Sequence, residues 1–303
     1  MKSTIFIFSC LAVFFCNSKG QTQSKFYQEM EVNNQQGNPF FVYNFGGLEL
    51  LESKAQIEKL KTYGYDGISL RMAKAEHVKQ LPEFIAYANK IKEFKIYSVF
   101  IRYNFADNEI DRTRWQRVVD IIKNQGIDLW VIFGKKEPGV DDEHVEGVLK
   151  NMVNYAANRN VSVTLYPHSW CYFYTAEQSL PMVKKINHPN LKLAVHTCHE
   201  LKAGNGNRLA EVVENVKDYI SFVTIAGAQA KVDMSSRRSM DQGTIMPLED
   251  GTFDYSHFLK ALNEVNYRGP IGYINFGFDK EPDIYLPLSM QKWQQLKTNY
   301  LSE

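Results

Sequence analysis

The chain has 303 residues, of which 44% are hydrophobic, 13% aromatic and 23% charged, and its formal net charge is +1. This balance excludes a disordered, collagen-like or disulfide-scaffold protein, and the near equality of 35 basic and 34 acidic residues argues against a nucleic acid as the main partner. The length fits either two ordinary domains or one (β/α)8 barrel, which needs about 250 residues.

The first 20 residues have the pattern of a secretory signal peptide. Lys2 supplies a positive charge, an apolar run over residues 5–16 follows, and Ser18 and Gly20 place small residues before the predicted cleavage site. The apolar run is too short for a membrane-spanning helix, which needs about 20 residues, and no later stretch comes close to that length. We therefore expect an exported protein, periplasmic or secreted, without a membrane span. Lipid anchoring at Cys16 is the less favoured alternative.

Residues 21–38 form a polar lead, after which apolar runs alternate with amphipathic runs of helical period. The predicted strands cover residues 40–45, 67–71, 95–101, 127–133, 161–166, 191–195, 220–226 and 270–276. The predicted helices cover residues 54–63, 75–91, 112–124, 143–158, 175–186, 208–219, 255–265 and 286–300. Eight strand–helix units without an intervening linker predict one domain over residues 39–303, a single (β/α)8 TIM barrel.

In such a barrel the active site lies at the carboxyl ends of the strands and in the loops that follow them. We expect seven side chains at this end to bind the substrate: Asn44, Arg71, Arg102, Asn104, Tyr166, Trp170 and Asn275. Each of them alone could be an ordinary loop or rim residue. Together with several aromatic neighbours, however, they are typical of a pocket for a small-molecule carbohydrate.

The long segment over residues 229–250 follows the seventh predicted strand. It contains Lys231, Arg237 and Arg238, three cations that could form a lid or an anion clamp. A solvated loop is the favoured interpretation of this segment.

Three of the seven histidines fall in one part of the predicted barrel mouth. His168 follows the fifth strand, and His196 and His199 end the sixth, while neighbouring strands lie about 4.8 Å apart. Imidazole is both an acid–base group near neutral pH and a ligand for metals such as zinc. A zinc site that Cys171 or Cys198 completes is one hypothesis. Histidines that bind a polar ligand without a metal, or a purely structural group, are the alternatives.

The cysteines that remain after export also leave two possibilities open. Removal of the first 20 residues leaves Cys171 and Cys198 as the only cysteines, unless Cys16 is retained by lipidation. In an oxidising compartment the two could pair. Two buried thiols are the alternative.

Three segments are similar to motifs of a known family. Residues 63–68 (YGYDGI) resemble its second strand, residues 193–204 (LAVHTCHELKAG) its sixth, and residues 251–271 the approach to its eighth. The chain thus resembles the xylose-isomerase-like barrel family over essentially its whole predicted mature length. That family contains sugar and sugar-phosphate isomerases and epimerases, keto-sugar epimerases and endonuclease IV.

The resemblance implies a divalent metal that is held by a Glu on strand five, an Asp on strand six, a His or Gln on strand seven and a Glu on strand eight. It also implies two carboxylates that move the substrate proton. This sequence has Tyr166, His196, Thr224 or Ala226, and Asn275 at those positions. The family's own metal centre is therefore expected to be absent, because magnesium and manganese prefer oxygen ligands. His199 matches a family position that usually contacts substrate.

The leading functional hypothesis is an exported sugar isomerase or epimerase that acts on a carbohydrate or keto-sugar. In it His196 and His199 are the catalytic residues, and His168 joins them in a possible zinc site. The alternative is a catalytically inactive pseudoenzyme that binds carbohydrate. A nuclease of the endonuclease IV kind is disfavoured, because it needs several carboxylate-held metals and a basic groove.

Overall fold

The computed structural model describes residues 37–278 and 280–301. Within them eight parallel strands close into a barrel in chain order, with the last strand beside the first. The strands are β1 (Phe40–Tyr43), β2 (Gly67–Arg71), β3 (Lys95–Tyr103), β4 (Asp128–Phe133), β5 (Val163–Leu165), β6 (Leu191–His196), β7 (Ile220–Ile225) and β8 (Ile271–Tyr273). The prediction of a (β/α)8 TIM barrel is confirmed. The predicted signal peptide and nearly all of the polar lead lie outside the described residues.

Helices connect the strands and cover the barrel. They are α1 (Ser53–Thr62), α2 (Ala75–Ala88), α3 (Glu109–Ile122), α4 (Asp142–Ala157), α5 (Ala176–Ile186), α6 (Thr197–Lys202), α7 (Leu209–Val216), α8 (Arg237–Thr244), α9 (Ser256–Glu264) and α10 (Pro282–Tyr300). In the described part of the chain, no helix has both the length and the hydrophobicity that crossing a membrane requires.

Two of these helices were not predicted from the sequence. Helix α6 has six residues, fewer than two turns, so its apolar residues cannot display a helical period. Helix α8 begins after Ser236, whose side chain accepts a hydrogen bond from the backbone N–H of Ser239 and so caps the helix. The expectation of a solvated loop over residues 229–250 is therefore wrong for residues 237–244.

Large aromatic side chains fill the inside of the barrel. The Trp130 ring lies 4.6 Å from that of Phe222 and 6.0 Å from that of Phe41, centroid to centroid. Gly272 on β8 makes room for this layer, because a Cβ there would lie 2.5 Å from the tip of the Phe41 ring. The layer closes the centre of the barrel beneath the carboxyl ends of the strands.

Strands β5 and β8 are shorter than predicted and end just where the site begins. The backbone N–H of Tyr166 still donates to Val131, at 2.9 Å, and that of Ile274 to Ile225, at 2.9 Å. Beyond these bonds the chain leaves the sheet and enters loops. The side chains that follow can therefore turn over the mouth of the barrel.

Candidate functional site

A cavity of about 260 Å³ opens at the carboxyl end of the barrel. This volume is slightly below the range of about 300–1,000 Å³ that is usual for ligand pockets, so it suits one small molecule. Its apolar lining is largely aromatic and includes Tyr43, Phe45, Phe100, Ile132, Tyr166, Ile274 and Phe276. Flat aromatic faces beside polar groups suit a ligand such as a sugar, which has both an apolar face and hydroxyl groups.

Two of the three predicted histidines face this cavity. His168 and His199 are lining residues, and their ring centroids are 4.1 Å apart. The Nδ1 atom of His168 donates to the backbone oxygen of Ser169, at 2.9 Å, which requires the proton on Nδ1 and leaves a lone pair on Nε2. The Nδ1 atom of His199 lies 2.8 Å from the Ser169 hydroxyl oxygen. Ser169 therefore orients both rings.

The third histidine lies beneath the cavity. His196 ends β6, is 1% exposed and is not a lining residue, because the Tyr166 ring stacks on it with centroids 3.7 Å apart. Its Nδ1 is 2.7 Å from the Thr224 hydroxyl oxygen, and within the described residues its Nε2 has no hydrogen-bond partner. A ligand in the cavity thus meets Tyr166 before it can meet His196.

The three imidazoles are neutral at neutral pH. Burial, together with the smaller effects of the positive charges of Arg102, Lys202 and Arg237, lowers the pKa of His168 to about 4. Burial also holds the pKa values of His196 and His199 well below the usual range. Which ring nitrogen carries the proton is therefore determined by the hydrogen bonds of each neutral ring.

The side chains present do not fit the predicted zinc set of His168, His196 and His199. Among residues 37–278 and 280–301, no group of three or more His, Cys, Asp or Glu side chains is arranged to hold a metal ion. His196 lies under Tyr166, with its ring 5.8 Å from that of His199. The cavity lining is also rich in cations, which disfavours binding of a further cation.

Both cysteines near the histidines are free thiols. Cys198 lines the cavity, and burial raises the pKa of its thiol to about 11. The sulfur of Cys171 lies 3.5 Å from Nδ1 of His168. The sequence left a disulfide and two free thiols as alternatives, and the structure contains two free thiols.

Basic side chains dominate the polar part of the lining. Arg71, Arg102, Lys202 and Arg237 line the cavity, and Asp241 is the one acidic lining residue. The Nζ of Lys202 lies 2.5 Å from Asp241, and the Lys202 side chain is only 2% exposed. This ion pair joins α6 to α8, so the two unpredicted helices form one side of the site.

Trp170 holds one of these cations in place. Its backbone φ is 60°, a left-handed value that is rare for a bulky residue. The turn is held by the N–H of His168, which donates to Phe173 at 2.8 Å, and by that of Cys171, which donates to His168 at 3.1 Å. The Arg237 guanidinium lies 4.2 Å from the centroid of the Trp170 ring, a cation–π contact.

The predicted substrate-binding residues divide into two groups. Arg71, Arg102, Tyr166 and Trp170 line the cavity. Asn44, Asn104 and Asn275 instead bond within the protein: Asn44 accepts from the Arg71 backbone, Asn104 accepts from Nε of Arg102, and Asn275 donates to the Phe45 backbone oxygen and the Tyr285 hydroxyl. These three asparagines therefore lie outside the cavity lining and hold neighbouring groups of the site in place.

Lys202 and Asp241 were missed by the sequence reasoning. Lys202 follows His199 by three residues, a spacing that places both on one face of α6. This signal is readable only once residues 197–202 are recognised as a helix.

The sequence matches the profile of one protein family, described as xylose isomerase-like TIM barrel, over residues 57–285. No curated protein matches the sequence. Many solved structures are similar in fold, all those compared below at low sequence identity.

One is a xylose isomerase-like TIM barrel/4-hydroxyphenylpyruvate dioxygenase fusion protein, with a TM-score of 0.69 and 18% identity over 88% of this chain. This chain spans only 43% of the fusion protein's length. A second is the IolI protein with a bound zinc atom, with a TM-score of 0.67 and 18% identity over 87% of this chain and 98% of the other. A third is D-allulose 3-epimerase from Methylomonas sp. in complex with D-allulose, with a TM-score of 0.65 and 16% identity over 88% and 98%.

Proposed function

Since the chain belongs to the xylose isomerase-like TIM barrel family, we propose that its carboxyl-end pocket binds a carbohydrate or keto-sugar and acts on it as an isomerase or epimerase. The observation that carries the proposal is the pair His168 and His199, 4.1 Å apart in the lining of a cavity of monosaccharide size. A fold neighbour that is an epimerase in complex with D-allulose supports the same ligand class.

The two rings offer complementary groups to a hydroxyketone. His168 presents the lone pair of Nε2, because its proton is on Nδ1. When the Ser169 hydroxyl donates to Nδ1 of His199, Nε2 of His199 keeps its proton and is a donor. One ring can therefore accept a proton while its neighbour donates a hydrogen bond to the adjacent carbonyl oxygen.

In the proposed reaction His168 removes the proton from the carbon next to the carbonyl. The electron pair of that C–H bond forms a carbon–carbon double bond, and the carbonyl pair moves to oxygen, where His199 and nearby cations stabilise it. Protonation of the same carbon on its opposite face, by Nε2–H of His199 or by His168 after the enediolate turns over in the pocket, gives the epimer. Return of the proton to the neighbouring carbon, after proton exchange between the two oxygens, gives the isomer.

This assignment moves the catalytic role from His196 to His168. His196 is covered by Tyr166 and bonded to Thr224, so in the proposal it supports the Tyr166 ring. His199 keeps the role expected for it from the sequence. No step uses a metal, because the described side chains do not fit one.

A carbohydrate-binding pseudoenzyme is the second candidate. It is favoured by the pKa of His168, about 4, which makes its imidazole a weak base at neutral pH. The absence of acidic residues at positions 166, 196, 224 and 275 favours it as well. Binding without turnover is what distinguishes this candidate from the enzyme.

Hydrogen–deuterium exchange at the substrate carbon tests the two candidates. The protein is incubated with D-allulose, D-fructose and other ketohexoses in D2O, and loss of the C3 or C1 proton signal is followed by NMR. We expect exchange with the wild type and a loss of about 10²–10⁴-fold in His168→Asn. Sugar affinity, measured by calorimetry, should change less than about threefold.

The exposed His257 on α9 provides the matched control, since His257→Gln should leave exchange unchanged. Binding without exchange in the wild type would establish the pseudoenzyme. Unchanged exchange in both His168→Asn and His199→Gln would reject the site. Elemental analysis completes the test: near-stoichiometric zinc that is lost in the His168/His196/His199 triple alanine variant would replace this mechanism with a metal-dependent one.

We further propose that the protein works outside the cytoplasm. The proposal is based on the signal-peptide pattern of residues 1–20. Fusion of this segment to alkaline phosphatase, which is active only after export, should give active enzyme. Retention of the full chain in the cytoplasmic fraction would contradict the proposal.

A further inference from the structure

We infer that the carbohydrate bound in this pocket carries an anionic group, either a carboxylate, a sulfate or a phosphate, which sits beside His168 between Arg102 and Arg237. The inference rests on the proposed carbohydrate function and specifies its substrate class. It is drawn from the charges of the lining.

The lining has an excess of positive charge. Four basic side chains face one carboxylate, and that carboxylate, Asp241, is already paired with Lys202 at 2.5 Å. Arg71 and Arg102 form no ion pair with an acidic side chain anywhere in the described part of the chain. The nearest carboxylate of Arg237 is Asp241, with its Nε and Oδ2 3.9 Å apart. An anionic ligand can pair with these cations, whereas a neutral ligand cannot.

Three of the four lining cations act on His168. Arg102 comes from β3, Lys202 ends α6, and Arg237 begins α8, and all three depress the pKa of His168 beyond the effect of burial. Arg102 and Arg237 also lower the pKa of the neighbouring Cys171 thiol, against the larger effect of burial. Cations from three separate elements therefore act on one point of the cavity.

The arginines are held so that part of each guanidinium stays available. Nε of Arg102 donates to Asn104 at 3.0 Å, which leaves its two terminal nitrogens for a ligand. The guanidinium of Arg237 contacts the face of Trp170, with its central carbon 4.2 Å from the ring centroid. A guanidinium fixed in this way loses little entropy on binding and matches the two oxygens of a carboxylate or an ester of sulfate or phosphate.

An anionic ligand would also favour the proposed chemistry. Neutralisation of the three cations removes their part of the depression of the pKa of His168. The imidazole therefore becomes a better base when an anionic substrate is bound, so an anionic ketose should exchange faster than its neutral parent.

Calorimetric titration with matched sugars tests the inference. The probes are D-glucuronate, D-galacturonate and D-mannuronate, the 6-sulfates and 6-phosphates of the same hexoses, the neutral parent hexoses, and inorganic sulfate. We expect at least one anionic sugar to bind tenfold or more tightly than its neutral parent. This preference should shrink as NaCl rises from 50 to 500 mM. The class of probe that binds most tightly, whether uronate, sulfate ester or phosphate ester, identifies the anionic group.

Variants of exposed arginines locate the group without risk to the fold. Arg102→Gln and Arg237→Gln should each reduce the preference for the anionic sugar by about fivefold or more, while affinity for the neutral parent changes less than twofold. Arg238→Gln is the control, because Arg238 neighbours Arg237, is exposed and does not line the cavity. Its preference should equal that of the wild type.

The outcomes separate the inference from the proposed function. Equal binding of neutral and anionic sugars, or an undiminished preference in both arginine variants, would overturn the anionic assignment and keep the carbohydrate function. Binding of inorganic sulfate but of no sugar would overturn the carbohydrate function and, with it, the sugar part of the inference. No binding of any probe would overturn both.

Discussion

The two ends of the barrel use polar side chains in opposite ways. At the amino end, polar groups satisfy one another: Nδ2 of Asn38 donates to the backbone oxygens of Tyr267 and Gly269, at 3.1 and 2.9 Å. In the same region Asp66 accepts from the backbone N–H of Phe40 at 2.7 Å. These bonds join the first strand to its neighbours, so the polar groups that form them are not available to a ligand.

At the carboxyl end, several polar groups remain without such partners. Arg71 and Arg102 lack acidic partners among the described residues, and Nε2 of His196 lacks a hydrogen bond there. A buried polar atom without a partner, such as Nε2 of His196, costs stability, whereas the exposed arginines are solvated and stay available to a ligand. The comparison indicates that polar groups at the amino end stabilise the fold, whereas polar groups at the carboxyl end are available to bind a ligand.

The largest effect is expected for a variant of the aromatic layer that separates the two ends of the barrel. Trp130 packs against Phe222 and Tyr166 and is fully buried. We expect Trp130→Ala to lower the free energy of unfolding by about 3–5 kcal/mol, because it removes a large core side chain. Urea denaturation measures this change. Trp130→Phe should lose clearly less, and equal losses in both variants would contradict a packing role.

Acidification tests the carboxyl end. The pKa of His168 is lowered to about 4, so between pH 6.5 and 4 the unfolded chain binds the proton and the folded chain does not. The free energy of unfolding should therefore fall as pH decreases, by about 1.4 kcal/mol per pH unit for each such imidazole. Urea denaturation from pH 7 to 4.5 measures the slope. His168→Asn should make it shallower, and an equal slope in this variant and the wild type would contradict the expectation.

The amino end should respond to pH in the opposite direction. Burial raises the pKa of Asp128 to about 7, and its carboxyl group accepts from the Thr164 hydroxyl. Between pH 3.8 and 7 the folded state holds the extra proton, so this group stabilises in acid and loses that contribution as pH rises. Asp128→Asn should then increase the free energy of unfolding at pH 8 by on the order of 2 kcal/mol.

The same variant should gain little at pH 4, where aspartic acid is already neutral in the folded protein. Denaturation at the two pH values provides the comparison. An equal gain at both would show that the carboxyl charge is not responsible.

The smallest expected effect concerns the helix that carries Arg237. Ser236 caps α8 through a 3.1 Å bond from the backbone N–H of Ser239. Ser236→Ala should weaken this helix by about 1 kcal/mol and speed amide exchange over residues 237–244. Because α8 lies on the surface, global unfolding should change little. Ser236→Asn should restore protection, since asparagine is an equally good cap.

Long periodic segments made the fold predictable, whereas short ones did not. Residues 143–158 have enough length for a helical period, and the structure contains α4 there. The six residues of α6 and the polar residues of α8 have no such pattern. Lys202 and Asp241 therefore escaped prediction.

The direction of each side chain limited prediction of the site. The sequence predicts where a strand ends, but successive residues there point to opposite sides. Phe45 and Ile274 line the cavity, whereas their neighbours Asn44 and Asn275 do not. A polar residue next to a strand end is therefore as easily a support as a ligand group. Only the three-dimensional contacts separate the two.

The partly exposed position of Trp170 has a practical consequence. Of the four tryptophans, Trp115, Trp130 and Trp293 are at most 4% exposed, while Trp170 is half-buried and lies against the guanidinium of Arg237 at the cavity. Its indole fluorescence senses the local charge and hydration, and the other three contribute a nearly constant background. The protein thus has an intrinsic optical reporter at the mouth of its pocket, so unlabelled compounds can be screened by emission alone.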